Sequence, residues 1–145
     1  MKTILGMMCA FLVVASTYAE EKPVAKFDDA ALKGTWTTVK GWNNGNKVEE
    51  ANLEGDITFE KGVITIKSKD ITHKMSFKID PKGKPMHIDM EGLDGPAKGF
   101  TTVGIIEVEK DSMKLAYAFP GGKRPTAFES KKDSMVFYFE LKKKK

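Results

Sequence analysis

The sequence contains almost no cysteine and almost no arginine. Its one cysteine, Cys9, lies in an apolar segment near the amino end, and its one arginine, Arg124, stands among 24 basic residues. A chain with a single thiol has no internal disulfide to stabilise it. Stability therefore has to come from a hydrophobic core, which a domain of about 110 to 125 residues can supply.

The first 19 residues are typical of a secretory signal peptide. Lys2 provides a positive start, residues 4–15 form an apolar run, and Thr17 and Ala19 are small residues at the positions that precede a cleavage site. The run is shorter than the roughly 20 apolar residues that span a bilayer, so an uncleaved membrane anchor is the less favoured alternative. We predict cleavage after Ala19, a flexible spacer at 20–29, and an exported, periplasmic or extracellular protein.

The net charge of +4 comes largely from the end of the chain, because the last four residues, 142–145, are all lysine. The body of the domain is close to neutral and has no basic stripe with interleaved aromatic side chains, so we expect no nucleic-acid partner. We predict a solvated, disordered basic tail at 142–145. The alternative is a peripheral contact between these lysines and an anionic polymer or lipid of the cell envelope.

Short alternating runs, rich in β-branched and aromatic residues, recur from residue 35 to residue 142. They are separated by Gly, Pro, Asp, Asn and Lys, and several connections are only two to five residues long, which favours pairing between neighbours along the chain. Eight such strands predict an all-β fold, an eight-stranded antiparallel up-and-down barrel over 30–141, preceded by a short helical turn. The predicted strands are 35–42, 56–60, 63–67, 72–79, 86–91, 100–109, 112–119 and 135–142.

Alternation assigns one face of each strand to the barrel interior. The five methionines that follow the predicted signal peptide all fall on this inner face. Methionine is flexible and polarizable, so the lining is suited to varied apolar ligands, although methionine also fills irregular gaps in packed cores. Both interpretations remain open on the sequence alone. These methionines are Met75, Met86, Met90, Met113 and Met135.

The segment 32–36, Leu-Lys-Gly-Thr-Trp, resembles the Gly-x-Trp start of lipocalin-like barrels, and the segments 79–89, 94–99, 104–108 and 119–128 are similar to one bacterial family. That family is the lipocalin-like domain of unknown function found in exported planctomycete proteins, and the resemblance runs from about Ala30 to Leu141. It implies a barrel with Gly34 and Trp36 at one end and Arg124 packed across the tryptophan. Members often carry a cysteine where this chain has Ala116, which argues against a thiol role.

No catalytic constellation is visible, so we expect a protein that is not an enzyme and that has no cofactor. The alternating His87, Asp89 and Glu91 suit a solvated outer face better than a metal site. His73 falls on the inner face, where Tyr117 is the one inward polar partner that the sequence offers. A buried neutral histidine remains the ordinary explanation for His73.

The pattern favours a monomeric, non-catalytic binding module that holds a small apolar or amphipathic molecule in the barrel. The alternative is a solid-cored interaction or structural module that binds an envelope protein or polymer through its loops and basic tail. We expect Trp36 to be buried at one end beneath Arg124 or a neighbouring lysine, and Trp42 to be partly exposed at the other end. The candidate ligand-binding residues are His73, Met75, Phe77, Met90, Tyr117 and Phe137.

Overall fold

The computed structural model describes residues 29–53, 55–68 and 70–145, except for the side chain of Asp29. The predicted signal peptide and all but the last residue of the predicted spacer lie outside these residues. Three short 3₁₀ helices and nine strands make up the described part. The helices are Asp29–Ala31, Glu50–Asn52 and Gly95–Ala97, and the strands are β1 (Gly34–Asn43), β2 (Asn46–Lys47), β3 (Asp56–Glu60), β4 (Val63–Lys67), β5 (Thr72–Asp80), β6 (Met86–Gly92), β7 (Thr101–Glu109), β8 (Ser112–Ala118) and β9 (Val136–Lys143).

The strands form one closed antiparallel barrel. β1 pairs with β3, each strand from β3 to β9 pairs with the next along the chain, and β9 returns to pair with β1. Closure leaves no exposed sheet edge among these eight strands. The predicted eight-stranded, up-and-down, lipocalin-like barrel is therefore confirmed. The two-residue β2, which the alternation pattern did not predict, adds a small hairpin to the end of β1.

The antiparallel order gives the barrel two distinct ends. The closed end carries Gly34 and the short turns at 61–62, 81–85 and 110–111. The open end carries the four longer connections, at 44–55, 68–71, 93–100 and 119–135. Tight turns leave little backbone to build a site with, whereas longer connections can surround an entrance. The entrance to the interior described below lies at the open end.

The core inside the barrel is built from the alternate residues of each strand, as the sequence predicts. Trp36, Phe59, Ile88, Ile106 and Leu141 belong to this inner core. Each of these five side chains is at most 1 % exposed. The described residues include no cysteine and therefore no disulfide, so burial of such aromatic and branched side chains is the main source of stability.

A bulge in β1 changes which of its side chains face inward. The register against β9 shifts between Thr38 and Lys40, so Val39 is an extra residue opposite β9. Inward positions before the bulge are Trp36 and Thr38, but after it the inward position is Gly41, and Trp42 faces outward. A β-carbon on Gly41 would lie 2.8 Å from side-chain atoms of Leu53 and Phe139, so this glycine makes room for both.

A second, smaller core lies on the outer face of the barrel. Ile105, Ala116, Tyr138 and Trp42 stand side by side on β7, β8, β9 and β1. Strict alternation assigns the first three to solvent, and the bulge in β1 adds Trp42 to the same face. The rings of Trp42 and Tyr138 are stacked with centroids 5.0 Å apart, and Phe128 of the long 119–135 connection packs against the cluster. That connection therefore folds back over the outside of the sheet and covers the apolar row.

Two predictions fail at the carboxyl end of the barrel. Met135 was predicted to line the inner face, but it precedes β9, adopts a positive φ of 54° and is 51 % exposed. The predicted disorder of the tail is also wrong for Lys142 and Lys143, because β9 extends to Lys143, although Lys142, Lys144 and Lys145 are exposed as predicted. The backbone of Lys144 donates a hydrogen bond to the Thr35 carbonyl at 2.9 Å, and its ammonium lies 2.9 Å from the Asp56 carboxylate.

Candidate functional site

The barrel interior contains a cavity of about 180 Å³ that opens beside the 3₁₀ helix Glu50–Asn52 and the end of β4. Ordinary ligand sites occupy about 300 to 1,000 Å³, so the cavity is small. An apolar cavity of about 150 Å³ is nevertheless large enough to bind a molecule the size of benzene. The interior is therefore not completely packed, and its free space corresponds to a ligand portion of about six to nine non-hydrogen atoms.

The lining is mostly apolar, and its polar side chains among the described residues are Thr38, Asn52, Lys67, Ser68 and Tyr117. Asn52, Lys67 and Ser68 stand at the entrance, and Lys67 is the only charged residue among the described residues that line the cavity. β4 and β8 lie on opposite sides of the closed barrel, so a molecule that enters beside β4 faces the inner surface of β8. The remaining lining residues are Thr38, Leu53, Gly55, Ile57, Ile64, Ile66, Met75, Met90, Leu115, Tyr117 and Phe139.

Tyr117 is the polar group on the far wall of the cavity. Its ring packs against Phe137 and Phe139, with centroid distances of 5.1 and 6.1 Å. Gly104, directly across on β7, makes room for it, because a β-carbon there would lie 2.8 Å from the β-carbon of Tyr117. No residue in the described part of the chain forms a hydrogen bond with the Tyr117 hydroxyl, and burial raises the pKa of this group to about 12.

His73 lies on the inner face of β5, as predicted, but it does not line the cavity. It stands at the open end, where a β-carbon on Gly95 would lie 3.2 Å from its Nδ1 atom, so the 3₁₀ helix Gly95–Ala97 covers it. Nδ1 is buried without a hydrogen-bond partner among the described residues. His73 and Tyr117 make no hydrogen bond with each other, so the pairing that the sequence suggested is not formed.

The other candidate ligand-binding residues divide between the cavity and its surroundings. Met75 and Met90 line the cavity, whereas Phe137 stands behind it, in contact with the lining residues Tyr117 and Phe139. Phe77 packs edge-on against Phe59 at the closed end, beside a second hollow of about 260 Å³. Three of the eight described residues that line this hollow are charged, which makes it a poorer site for an apolar molecule.

Trp36 is fully buried at the closed end, and a lysine covers its ring. Its indole Nε1 donates a hydrogen bond to the Leu32 carbonyl at 2.8 Å, and the Lys143 ammonium lies 5.4 Å from the ring centroid. Gly34, with φ of 124°, supplies a backbone conformation that side chains rarely adopt where the chain enters β1. Of the two cations expected over the tryptophan, the neighbouring lysine is the one found there.

Arg124 lies elsewhere, so its predicted position at the tryptophan end is wrong. The 119–135 connection carries it back over the outer face of β6 and β7. Its guanidinium donates hydrogen bonds to the carbonyls of Gly104 at 2.7 Å and Ile88 at 3.2 Å, and to the Asp89 carboxylate at 2.6 Å. A planar group with several fixed donors suits this threefold contact better than a lysine does. Arg124 therefore fastens the connection to the sheet.

The residues that were considered for metal binding make no cluster. Asp89 is engaged by Arg124, and within residues 29–53, 55–68 and 70–145 no three His, Cys, Asp or Glu side chains come close enough to hold a metal ion. In the same residues, no helix is both long and apolar enough to cross a membrane. The chain matches no protein-family model, no curated protein and no solved structure with which it was compared.

The two described tyrosines predict a loss of stability at high pH. Burial raises the pKa of Tyr117 to about 12, and burial together with a hydrogen bond to Glu140 does the same for Tyr138. Between pH 10 and 12 the unfolded chain loses these protons while the folded chain keeps them. The free energy of unfolding, whose contribution from these groups is complete below pH 10, therefore falls across this window.

For Tyr117 alone, this fall should be on the order of 2 kcal/mol by pH 12. Urea melts at pH 9.5 and 11.5 measure the loss, and the Tyr117→Phe variant provides the control because it differs from the wild type only in this hydroxyl. The variant should lose less stability over this interval. Equal losses in the two proteins, or tyrosinate absorbance that rises at pH 10 in the folded protein, would contradict the assignment.

Proposed function

We propose that the protein is an exported, non-catalytic binding module that holds a small apolar or amphipathic molecule inside the barrel. The observation that carries the proposal is the apolar cavity of about 180 Å³ with a polar entrance at one end. Protein interiors are normally closely packed, so an empty space of this size inside a barrel is unusual. Binding of an apolar molecule would remove apolar surface from water on both partners.

The alternative proposal, attachment to an envelope component through the basic tail, has less support. Lys143 covers Trp36, and Lys144 is paired with Asp56. Both lysine side chains therefore already contact residues of their own barrel. A partner would have to compete with these contacts, although exposed ion pairs of this kind are weak.

Toluene binding followed by calorimetry and thermal unfolding tests the proposal. Toluene has seven non-hydrogen atoms, within the range that the cavity accommodates. At a free concentration ten times its Kd, it should raise the free energy of unfolding by about 1.4 kcal/mol. The Leu115→Phe variant should lose this effect, because Leu115 lines the cavity and the larger ring occupies the same space.

The matched control is Leu93→Phe, the same substitution at a half-exposed position on the 93–100 connection. This variant should bind toluene as the wild type does. If toluene leaves the wild type unchanged, or if both variants bind it equally well, the cavity is not the binding site and the proposed function fails.

A further inference from the structure

The cavity contains one polar group on its far wall, the hydroxyl of Tyr117, and no described residue forms a hydrogen bond with it. The Tyr117 side chain faces the interior from β8, its ring packs against Phe137 and Phe139, and its hydroxyl makes no hydrogen bond with any described residue. A hydroxyl that faces an apolar cavity and makes no hydrogen bond with the protein can donate one to water or to a ligand. Such a group is normally satisfied by protein, ordered water or ligand.

From this geometry we infer that the barrel selects uncharged ligands that combine a compact apolar body with one hydrogen-bond acceptor. The Tyr117 hydroxyl donates a hydrogen bond to this acceptor. A ketone or aldehyde group on a body of about six to nine non-hydrogen atoms has this chemistry. The inference rests on the proposed function and adds the ligand class. The ligand would enter beside β4 with its acceptor directed toward β8.

The distribution of charge excludes an anionic group from the far wall. Lys67 is the only charged residue among the described lining residues, and it stands at the entrance, across the barrel from Tyr117. A carboxylate placed against Tyr117 would have a single neutral donor and no cation, so its desolvation would not be compensated. The hydroxyl remains a donor at physiological pH because burial raises the pKa of Tyr117 to about 12.

The test compares cyclohexanone with methylenecyclohexane, which have the same shape and the same seven non-hydrogen atoms but differ in the acceptor oxygen. Since the two compounds also differ in hydration, the informative quantity is the change in each Kd between the wild type and Tyr117→Phe. The substitution keeps the aromatic ring in place and removes only the hydroxyl. Cyclohexanone binding should weaken about 3- to 10-fold, whereas methylenecyclohexane binding should stay the same or become tighter.

Tyr138→Phe is the matched control, because the same hydroxyl is removed from the outer face of the barrel. It should leave both Kd values unchanged. Cyclohexanecarboxylate should bind the wild type at least tenfold more weakly than cyclohexanone at pH 7. Equal changes for the ketone and the alkene in Tyr117→Phe, or tighter binding of the carboxylate, would overturn the ligand class while leaving apolar binding in the barrel intact.

A measurement on the wild type keeps the inference testable if Tyr117→Phe does not fold. The chain has three tyrosines, so ¹³Cζ-labelled tyrosine gives a simple NMR spectrum. Cyclohexanone should shift the Tyr117 signal and leave Tyr138 unchanged, and methylenecyclohexane should shift Tyr117 much less. Equal shifts from both compounds would overturn the hydrogen bond, and failure of both compounds to bind would overturn the proposed function as well.

Discussion

Replacing Trp36 with alanine should cost about 3 to 5 kcal/mol of unfolding free energy, the usual loss when a large aromatic side chain is truncated in a core. The ring is fully buried, its Nε1 donates to the Leu32 carbonyl, and the Lys143 ammonium lies over one face of the ring. The substitution would remove all three interactions and leave a void at the closed end. Since a whole domain has only about 5 to 15 kcal/mol of stability, the variant should be poorly folded.

Trp42→Ala is the control for this prediction, because it makes the same substitution at a tryptophan on the outer face. Trp42 is half-buried on the outer face, where it stacks on Tyr138, so its loss should cost about 1 to 2 kcal/mol. Urea melts of the two variants measure the difference. A Trp36→Ala protein as stable as the wild type, or a Trp42→Ala protein that is the less stable of the two, would contradict the role of Trp36 as the closure of the barrel.

Truncation of Tyr138 should be nearly as damaging, because this residue holds the outer core together. Tyr138→Ala removes the stack on Trp42, the contact with Phe128 and the hydrogen bond from its hydroxyl to the Glu140 carboxylate at 3.0 Å. We expect a loss of about 2 to 4 kcal/mol. Amides of the 119–135 connection should also exchange faster with solvent, since the surface that it covers is gone.

Tyr138→Phe separates packing from the hydrogen bond. The ring remains and only the donor to Glu140 is lost, so the expected loss is about 1 kcal/mol with little change in amide exchange. If Tyr138→Ala destabilises no more than Tyr138→Phe does, the outer cluster contributes nothing as a core, and the connection is held by Arg124 alone.

The barrel was predictable because alternation depends on local sequence, and burial on one face imposes it on every strand. The strands β3, β4 and β8 illustrate this, since their predicted bounds match the observed ones to within one residue. The bulge at Val39 was not predictable. It depends on how β1 meets β9 when the barrel closes, a contact between strands about 100 positions apart in sequence.

The outer core was missed for a related reason. Val136 and Tyr138 alternate with the inward residues of β9, so the period of two assigns them to solvent. They are buried because the 119–135 connection folds back over them. Phe128 of this connection packs against the outer core, and Arg124 donates a hydrogen bond to the Gly104 carbonyl of β7. In the run Val-Phe-Tyr-Phe of β9, apolar and aromatic residues occupy both the inward and the outward positions. This was the one signal in the sequence of a strand that is covered on both faces.

The candidate site was predicted in part. Alternation placed Met75, Met90 and Tyr117 inside the barrel, and all three line the cavity. It could not show which part of the interior stays empty, because free volume depends on the fit of side chains from all eight strands. Leu53 illustrates the limit, since it reaches the cavity from a connection rather than from a strand, in the space that Gly41 leaves open.

Methyl NMR of labelled methionine during a toluene titration tests the central claim most directly. Met75 and Met90 line the cavity, Met86 and Met113 lie in the inner core outside it, and Met135 is exposed. If the barrel holds a small apolar molecule, the signals of Met75 and Met90 should shift together and saturate, with smaller changes at Met86 and Met113 and none at Met135. Shifts confined to Met135, or none at Met75 and Met90 at saturating toluene, would contradict the binding function.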